Sequence, residues 1–181
     1  MTKVEMSDKT KPPGNFFVNL LKDWGVALAL VLLGYAMWST LFAPQAPSLG
    51  PAADFSLENL AGETFTLSES EAEVVVVNFW FMGCPPCRRE IPELAKFATE
   101  NPDIAMVGVN TDQASPAQLE AFAKRFGITY EILRDNRGQV SRTYGVNVFP
   151  TTLVITDGQI VASKVGELNG MHLRAMVDQA H

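Results

Sequence analysis

The sequence predicts an α/β fold, in which helices cover both faces of a mixed sheet, preceded by one apolar helix. Two observations predict the sheet. Short apolar stretches alternate with helical patterns from residue 74 onward, and Asp157-Gly158, a strong hairpin signal, joins the last two stretches. A third observation predicts the apolar helix, because residues 25–42 contain no charged side chain. With 181 residues, 47% of them hydrophobic, the chain can bury one core.

The apolar run has the properties of a single transmembrane helix. Residues 24–42 are long enough to cross a bilayer, which takes roughly 17–25 residues, and Trp24 and Trp38 lie near the two ends. Four lysines precede the run and no Lys or Arg follows it until Arg88, which predicts a cytoplasmic N-terminus and an extracytoplasmic, periplasmic domain. A cleaved secretory signal and a buried helix of a soluble protein are the alternatives. The run is longer than the roughly 7–15 apolar residues of a usual signal.

This assignment divides the chain into four parts. We expect a cytoplasmic tail, a transmembrane anchor in the cytoplasmic membrane, a proline-rich linker and a folded domain, over residues 1–23, 24–42, 43–53 and 54–181 respectively. The linker contains three prolines among small residues, which predicts a semi-stiff spacer between the membrane and the domain.

The first half of the domain contains two strand patterns around one helix. Two alternating stretches within residues 54–67 predict a β-hairpin. Residues 74–80 are apolar and largely β-branched, which predicts a fully buried strand. Residues 88–100 predict a helix, in which Pro92 should cause a kink or an adjusted first turn. Residues 104–110 predict a second buried strand.

The second half of the domain has clearer signals for where its helices begin and end. Ser115 is a good helix cap, Pro116 suits the first helical position, and Gly127 ends the helix after Phe126. The same patterns predict a strand at 128–133, a short helix at 139–144, two strands at 151–156 and 160–165, and a closing helix from residue 169 or 170 to about residue 179.

Composition excludes several classes of function. A formal net charge of −6 argues against nucleic acid as a partner, because nucleic-acid binding requires basic patches. Two cysteines cannot form a disulfide scaffold or, without further donors, a zinc site. The two histidines, His172 and His181, lack metal-ligand spacing to the cysteines. We therefore expect neither a metal nor a cofactor.

The two cysteines, Cys84 and Cys87, lie where the strand 74–80 turns into a helix. At the start of a helix the first N–H groups have no intrahelical partner and the helix dipole is positive, so the pKa of a thiol there falls. The two intervening residues, Pro85 and Pro86, bring the second sulfur close enough to the first to form a disulfide. The pattern indicates a redox dithiol.

Two segments resemble the TlpA/ResA-like, DsbE/CcmG-related branch of the thioredoxin superfamily: residues 78–94, which contain Cys-Pro-Pro-Cys-Arg-Arg-Glu, and residues 148–152. The resemblance extends from about residue 54 to the C-terminus. It implies a thioredoxin-like fold with an N-terminal β-hairpin and a central strand-helix insertion around residues 115–133. Members are typically membrane-tethered, extracytoplasmic thiol–disulfide oxidoreductases, often reductants in cytochrome c maturation. The implied partners are disulfide-bearing or dithiol proteins of the cell envelope and a membrane electron donor of the CcdA/DsbD type.

The resemblance also implies roles for individual residues. Pro150 should be cis and lie beside the dithiol, and Phe149 should contact the substrate together with Pro85 and Pro86. Spacing alone would favour an ordinary proline at the start of a strand. Glu90 matches an acidic residue that tunes the dithiol and could relay a proton. Without the resemblance, a solvated glutamate on the helix surface would be the simpler interpretation.

The sequence departs from the thioredoxin pattern at two positions. Asn78 stands where many thioredoxins have a buried aspartate, which gives Glu90 more importance as a proton acceptor. Gly83 stands where a tryptophan usually precedes the first cysteine, so we expect the sulfur to lose an apolar wall. Arg88 and Arg89 are expected to be solvated.

The predicted reaction is the reduction of protein disulfides. Cys84, expected to be the more exposed cysteine, attacks a substrate disulfide, and Cys87 then displaces the reduced substrate. One alternative is a disulfide oxidase or isomerase that uses the same residues. Another is a non-enzymatic copper- or thiol-binding domain, for which only Met82 lies close as a further soft ligand. A peroxidase and a purely structural disulfide fit the short Cys-Pro-Pro-Cys spacing less well.

Overall fold

A computed structural model of the chain describes residues 16–41 and 46–180. The expected cytoplasmic tail before residue 16, and residues 42–45 around the expected end of the anchor, lie outside the described residues. The described chain forms two units, an N-terminal helix and a folded domain.

The helices are α1 (Phe16–Leu41), α2 (Pro85–Glu100), α3 (Pro116–Phe126), α4 (Gln139–Thr143) and α5 (Gly170–Val177), with short 3₁₀ helices at Leu67–Glu69 and Asp178–Ala180. The strands are β1 (Gly50–Pro51), β2 (Ser56–Glu58), β3 (Thr64–Thr66), β4 (Val74–Trp80), β5 (Ala105–Asn110), β6 (Glu131–Arg134), β7 (Thr151–Thr156) and β8 (Gln159–Val165).

Helix α1 is one uninterrupted helix that begins at Phe16, within the segment expected as tail. No proline or glycine lies between Phe16 and Trp24, so nothing in the sequence stops the helix there. The stretch Trp24–Leu41 has a mean hydropathy of 1.6 and is exposed throughout. By length and composition it can cross a membrane, a property shared by signal sequences and some core helices.

The domain is built on a six-stranded mixed sheet in the order β1-β8-β7-β4-β5-β6. Strand β4 pairs in parallel with β5, which pairs in parallel with β6, whereas β4–β7, β7–β8 and β8–β1 are antiparallel. The strand-helix insertion therefore adds β6 at one side of the sheet. Strands β2 and β3 form the expected hairpin. The fold is the predicted thioredoxin-like α/β fold.

Strand β4 is buried on both faces, as its apolar sequence predicts. Because side chains alternate along a strand, Val75, Val77 and Phe79 pack in one cluster with residues of the hairpin and of α4. Val74 and Val76 pack on the other face, in a cluster that includes residues of α2 and α5. The alternation places the remaining even-numbered residues, Asn78 and Trp80, on the α2 face.

Within the domain, three boundaries differ from the expected ones by three residues or more. Helix α2 begins at Pro85 rather than at residue 88, because Cys84 is the helix cap and prolines suit the first turn. Strand β6 begins at Glu131 rather than at residue 128, since the amide of Ile128 still donates to the carbonyl of Ala123 in α3. Within the expected linker 43–53, β1 pairs with the start of β8 as a short edge strand, so the folded domain begins before residue 54.

The end signals of α3 are confirmed. Ser115 and Gln118 form a reciprocal capping box, and Gly127 adopts the left-handed conformation at the end of the helix. Asp157 and Gly158, with φ of 51° and 67°, form the turn between β7 and β8.

Candidate active site

A disulfide joins Cys84 to Cys87 at the start of α2. Cys84 is the N-cap residue, and its Sγ accepts a hydrogen bond of 3.2 Å from the amide of Cys87. Pro85 and Pro86 occupy the intervening positions and have no N–H, so the Cys87 amide is the first free donor of the helix. A sulfur at position 84 is therefore stabilised by two features of the site: one N–H group directed at it and the positive end of the helix dipole.

Both cysteines are buried in the oxidised protein. Cys84 is 2% exposed and Cys87 is fully buried, so Cys84 is the more exposed of the two by a small margin in this state. The sulfurs belong to an apolar cluster with Trp80, against which Phe81 and Phe149 pack. The rings of Phe81 and Phe149 meet edge-on at 5.4 Å. Aromatic side chains from neighbouring positions thus form an apolar surround despite the glycine that precedes Cys84.

Glu90 is buried beneath this part of α2. Its side chain is 1% exposed, so the interpretation as a solvated surface residue is wrong. Its Oε1 accepts a hydrogen bond of 2.9 Å from Nδ2 of Asn78 on β4, and its Oε2 accepts one of 3.1 Å from the amide of Leu168. The alternation of β4 explains the first contact, because Asn78 lies on the face that α2 covers.

Burial raises the pKa of Glu90 to about 7, although the hydrogen bonds from Asn78 and Leu168 favour the carboxylate. The nearby charge of Glu167 raises this pKa further. A group with a pKa near neutrality can accept or release a proton under ordinary conditions.

The peptide bond between Phe149 and Pro150 is cis, as the resemblance implied. Phe149 is half-buried and packs with the disulfide cluster, and Pro150 is buried at the start of β7. The carbonyl of Pro150 accepts a hydrogen bond of 2.8 Å from the amide of Gly166. Of the two prolines between the cysteines, Pro85 is exposed and Pro86 is half-buried.

The two arginines after Cys87 lie at the surface, but Arg89 has a specific partner. It forms an ion pair of 2.7 Å with Glu167, in the segment that follows β8. Arg88 reaches the carbonyl of Gly83 at 3.5 Å. The pair between Arg89 and Glu167 holds α2 against the segment that supplies the Leu168 amide.

Sequence reasoning missed Asp112. Its Oδ2 accepts hydrogen bonds of 2.6 Å from the amide of Met82 and 3.0 Å from Nδ2 of Asn110. The signal was present, because Asn110 and Asp112 follow β5, and parallel strands such as β4 and β5 end at the same edge of a sheet. A polar pair directly after β5 therefore lies beside the loop that precedes Cys84.

The fold together with the dithiol defines a class: a thioredoxin-like thiol–disulfide oxidoreductase. The chain belongs to the AhpC/TSA family, whose model matches residues 50–164. It is 33% identical over 169 residues to the thioredoxin-like protein YneN of Bacillus subtilis (strain 168), covering 88% of this chain and 99% of that protein. It is 34% identical over 146 residues to the thiol-disulfide oxidoreductase ResA of Halalkalibacterium halodurans, covering 78% of this chain and 82% of the relative.

A solved structure shows the same fold. The chain superposes on a thiol:disulfide interchange protein DsbE from Chlorobium tepidum with a TM-score of 0.67 and 27% identity, over 74% of this chain and 97% of the other. The resemblance to the ResA- and DsbE-related branch is thereby confirmed.

Proposed function

We propose that this protein is a membrane-tethered, extracytoplasmic reductase of protein disulfides, in which Cys84 attacks and Cys87 resolves. The observation that carries the proposed order of attack is the position of Cys84 at the cap of α2, with the amide of Cys87 directed at its sulfur. A thiolate at position 84 would accept this N–H bond and lie at the positive end of the helix, so the nucleophilic form is stabilised.

The exchange proceeds in two displacements. The thiolate of Cys84 attacks one sulfur of a client disulfide, the client S–S bond breaks, and the other client sulfur leaves as a thiolate. Cys87, once deprotonated, attacks the sulfur of Cys84 in the mixed disulfide, and the second client thiolate leaves. Two electrons pass to the client, whose thiolates take up two protons, and the Cys84–Cys87 disulfide remains.

Glu90 is the proposed acceptor of the proton that Cys87 must lose. It lies one helical turn after Cys87, and its pKa of about 7 suits reversible proton transfer. When the dithiol is regenerated, the same carboxyl returns the proton to Cys87.

The proposed docking surface for the client consists of Phe149, Pro150, Pro85 and Pro86. The exposed ring of Pro85 and the half-buried ring of Phe149 present apolar surface around the buried disulfide. A client segment that lies across them would bring its own disulfide to the sulfur of Cys84.

The proposed location follows from α1. Residues 24–42 anchor the protein in a single pass, with residues 1–23 in the cytoplasm and the oxidoreductase domain outside, beyond the linker 43–53. The compartment outside the membrane is oxidising, so a membrane electron donor of the CcdA/DsbD type would return the protein to its dithiol form. The relative from Halalkalibacterium halodurans is named thiol-disulfide oxidoreductase ResA. We propose that the clients of the present protein are dithiol proteins of the cell envelope, including those of cytochrome c maturation.

Trapping tests the order of attack. Cys87→Ala in the full chain is expected to accumulate mixed disulfides between Cys84 and its clients, because the resolving thiol is gone. Cys84→Ala is the matched control and should trap far less. The adducts are measured as bands on non-reducing gels that disappear on reduction. Equal trapping by both variants, or none by a folded Cys87→Ala, would contradict the proposal.

A disulfide oxidase or isomerase is the second candidate, and the helix cap itself favours it, because stabilising the thiolate of Cys84 makes a dithiol more oxidising. The reduction potential distinguishes the two. A value of about −270 mV fits the reductase, and one of about −120 mV fits the oxidase.

A further inference from the structure

Three buried polar side chains form a chain of hydrogen bonds below the dithiol. The Nδ2 of Asn78 donates to Oε1 of Glu90 and to Oγ1 of Thr152, both at 2.9 Å. All three residues are at most 1% exposed. An amide nitrogen has two hydrogens, so both donors of Asn78 are used. The other oxygen of Glu90 accepts from the backbone amide of Leu168.

This arrangement fits only the ionised form of Glu90. A carboxylate only accepts hydrogen bonds, but a protonated carboxyl has one O–H that must donate. A proton on Oε1 would face the N–H of Asn78, and a proton on Oε2 would face the N–H of Leu168. A buried donor without an acceptor is costly. The amide of Leu168 is part of the backbone and cannot become an acceptor.

We propose that Asn78 is a two-state positioning residue that rotates its amide when Glu90 takes up a proton. With Glu90 ionised, Asn78 presents Nδ2 to Glu90 and Thr152. With Glu90 protonated, it presents Oδ1, which accepts from the carboxyl O–H and from the Thr152 hydroxyl. The amide oxygen has two lone pairs, and a hydroxyl both accepts and donates. Glu90 and Thr152 therefore each keep a hydrogen bond with Asn78 in both states, and in the protonated state the N–H groups of Asn78 turn to the side that Oδ1 had occupied.

The inference rests on the proposed proton transfer by Glu90, and the charged and titratable groups around that residue support it. Glu167, after β8, raises the pKa of Glu90 and is itself paired with Arg89 of α2. Burial raises the pKa of Tyr130, ahead of β6, and the charge of Glu90 raises it further. Among these neighbours Asn78 is a neutral group that can reverse its hydrogen bonds. An aspartate at this position could only accept while ionised, and would repel the Glu90 carboxylate.

The rotation also connects the proton to the proposed docking surface. Thr152 is the register partner of Asn78 across the β4–β7 ladder, two residues after the cis proline. A change in the direction of the bond between Asn78 and Thr152 therefore acts on β7, the strand that directly follows Pro150.

Nuclear magnetic resonance of the full oxidised chain in lipid nanodiscs tests the rotation. The Cδ shift of Glu90 reports its ionisation, and contacts between the Asn78 side-chain amide protons and Thr152 report the orientation of the amide. Between about pH 9 and about pH 5 we expect these contacts to be lost with the same midpoint as the Glu90 titration. If Glu90 titrates while the contacts persist, the rotation is overturned but the proton-transfer role survives. If Glu90 does not titrate in this range, both are overturned.

Variants of β7 give a second test. When Glu90 is ionised, Thr152→Val removes the acceptor for the second N–H of Asn78. When Glu90 is protonated, the same substitution leaves only one lone pair of the Asn78 Oδ1 unused. An orphaned buried N–H is the more costly of the two, so we expect the midpoint of Glu90 to rise by about one pH unit. Thr152→Ser keeps a hydroxyl and should restore the midpoint.

The matched control is Thr151→Val, which removes a neighbouring buried hydroxyl that donates to the carbonyl of Val148 at 2.8 Å, outside the network of Glu90. It should leave the midpoint unchanged. Equal shifts in Thr151→Val and Thr152→Val, or no shift in Thr152→Val, would overturn the proposal.

Discussion

The side chain of Glu90 is held in an environment that favours its neutral form, while its two partners favour the charged form. Burial dominates, and it raises the pKa from 4.5 to about 7. Between these two pH values the folded protein keeps a proton that the unfolded chain releases. The folded state is therefore stabilised most at low pH and loses this contribution as the pH rises through the window.

We expect the free energy of unfolding of the oxidised protein to fall by on the order of 3 kcal/mol between about pH 4.5 and about pH 7 through this residue alone. Glu90→Gln should remove that slope, because an amide does not titrate. Urea unfolding across the range measures it. Glu93→Gln, an exposed glutamate one turn later whose carboxylate accepts from the amide of Gly170, is the matched control and should keep the slope. If the pH dependence of the unfolding free energy were unchanged in Glu90→Gln, other titrating groups would be its source.

The sequence was sufficient to find Cys84 and Cys87 but not the environment of Glu90. The cysteines are recognisable from their spacing and from their place between a buried strand and a helix. Glu90 follows two arginines, a pattern typical of a solvated helix face. Its burial depends on Asn78 and Leu168, which lie 12 and 78 residues away in the chain. Local patterns do not encode contacts at such separations.

The loop before the first cysteine is held by the neighbouring strand. Strands β4 and β5 are parallel, so both end at the same edge of the sheet, and Asp112 after β5 accepts a hydrogen bond from the amide of Met82 after β4. The amide of Thr111 adds a bond to the carbonyl of Trp80. The position of Cys84 at the helix cap therefore depends on β5 as well as on α2.

Asp112→Ala is expected to destabilise the oxidised domain by about 1–3 kcal/mol, because the amides of Met82 and Asn110 lose a charged acceptor. Asp112→Asn keeps an oxygen that can accept from Met82 and should lose less than half as much. Urea unfolding at one pH compares the two. If both variants lost the same stability, the charge rather than the hydrogen bond to Met82 would be the source.

Element boundaries were predictable where the end signals are local. The helix α3 has its cap, its first-turn proline and its terminal glycine in the sequence, and it begins and ends as expected. Helix α2 begins three residues before the expected position, because the two adjacent prolines between the cysteines also suit a first helical turn. Strand β1 was missed because its strand partner, the start of β8, lies more than a hundred residues away in the chain.

At the scale of the whole molecule, the class of fold followed from alternating strand and helix patterns, and the thioredoxin-like arrangement followed from the resemblance. The periodicity of apolar residues does not determine strand order, so it could not predict that β4 lies between β5 and β7. The proposed orientation of the chain across a membrane rests on flanking charge, which is a property of the sequence.

The orientation can be measured with single cysteines in a background of Cys84→Ser and Cys87→Ser, since the native cysteines are too buried to report it. Met171 is 75% exposed on α5, so we expect Met171→Cys in spheroplasts to react with an impermeant maleimide before lysis. Ser7→Cys, placed among the lysines that precede α1, should react only after lysis, because cationic flanks remain in the cytoplasm. The reverse pattern would place the domain in the cytoplasm, where thiols are kept reduced and an external electron donor would have no role.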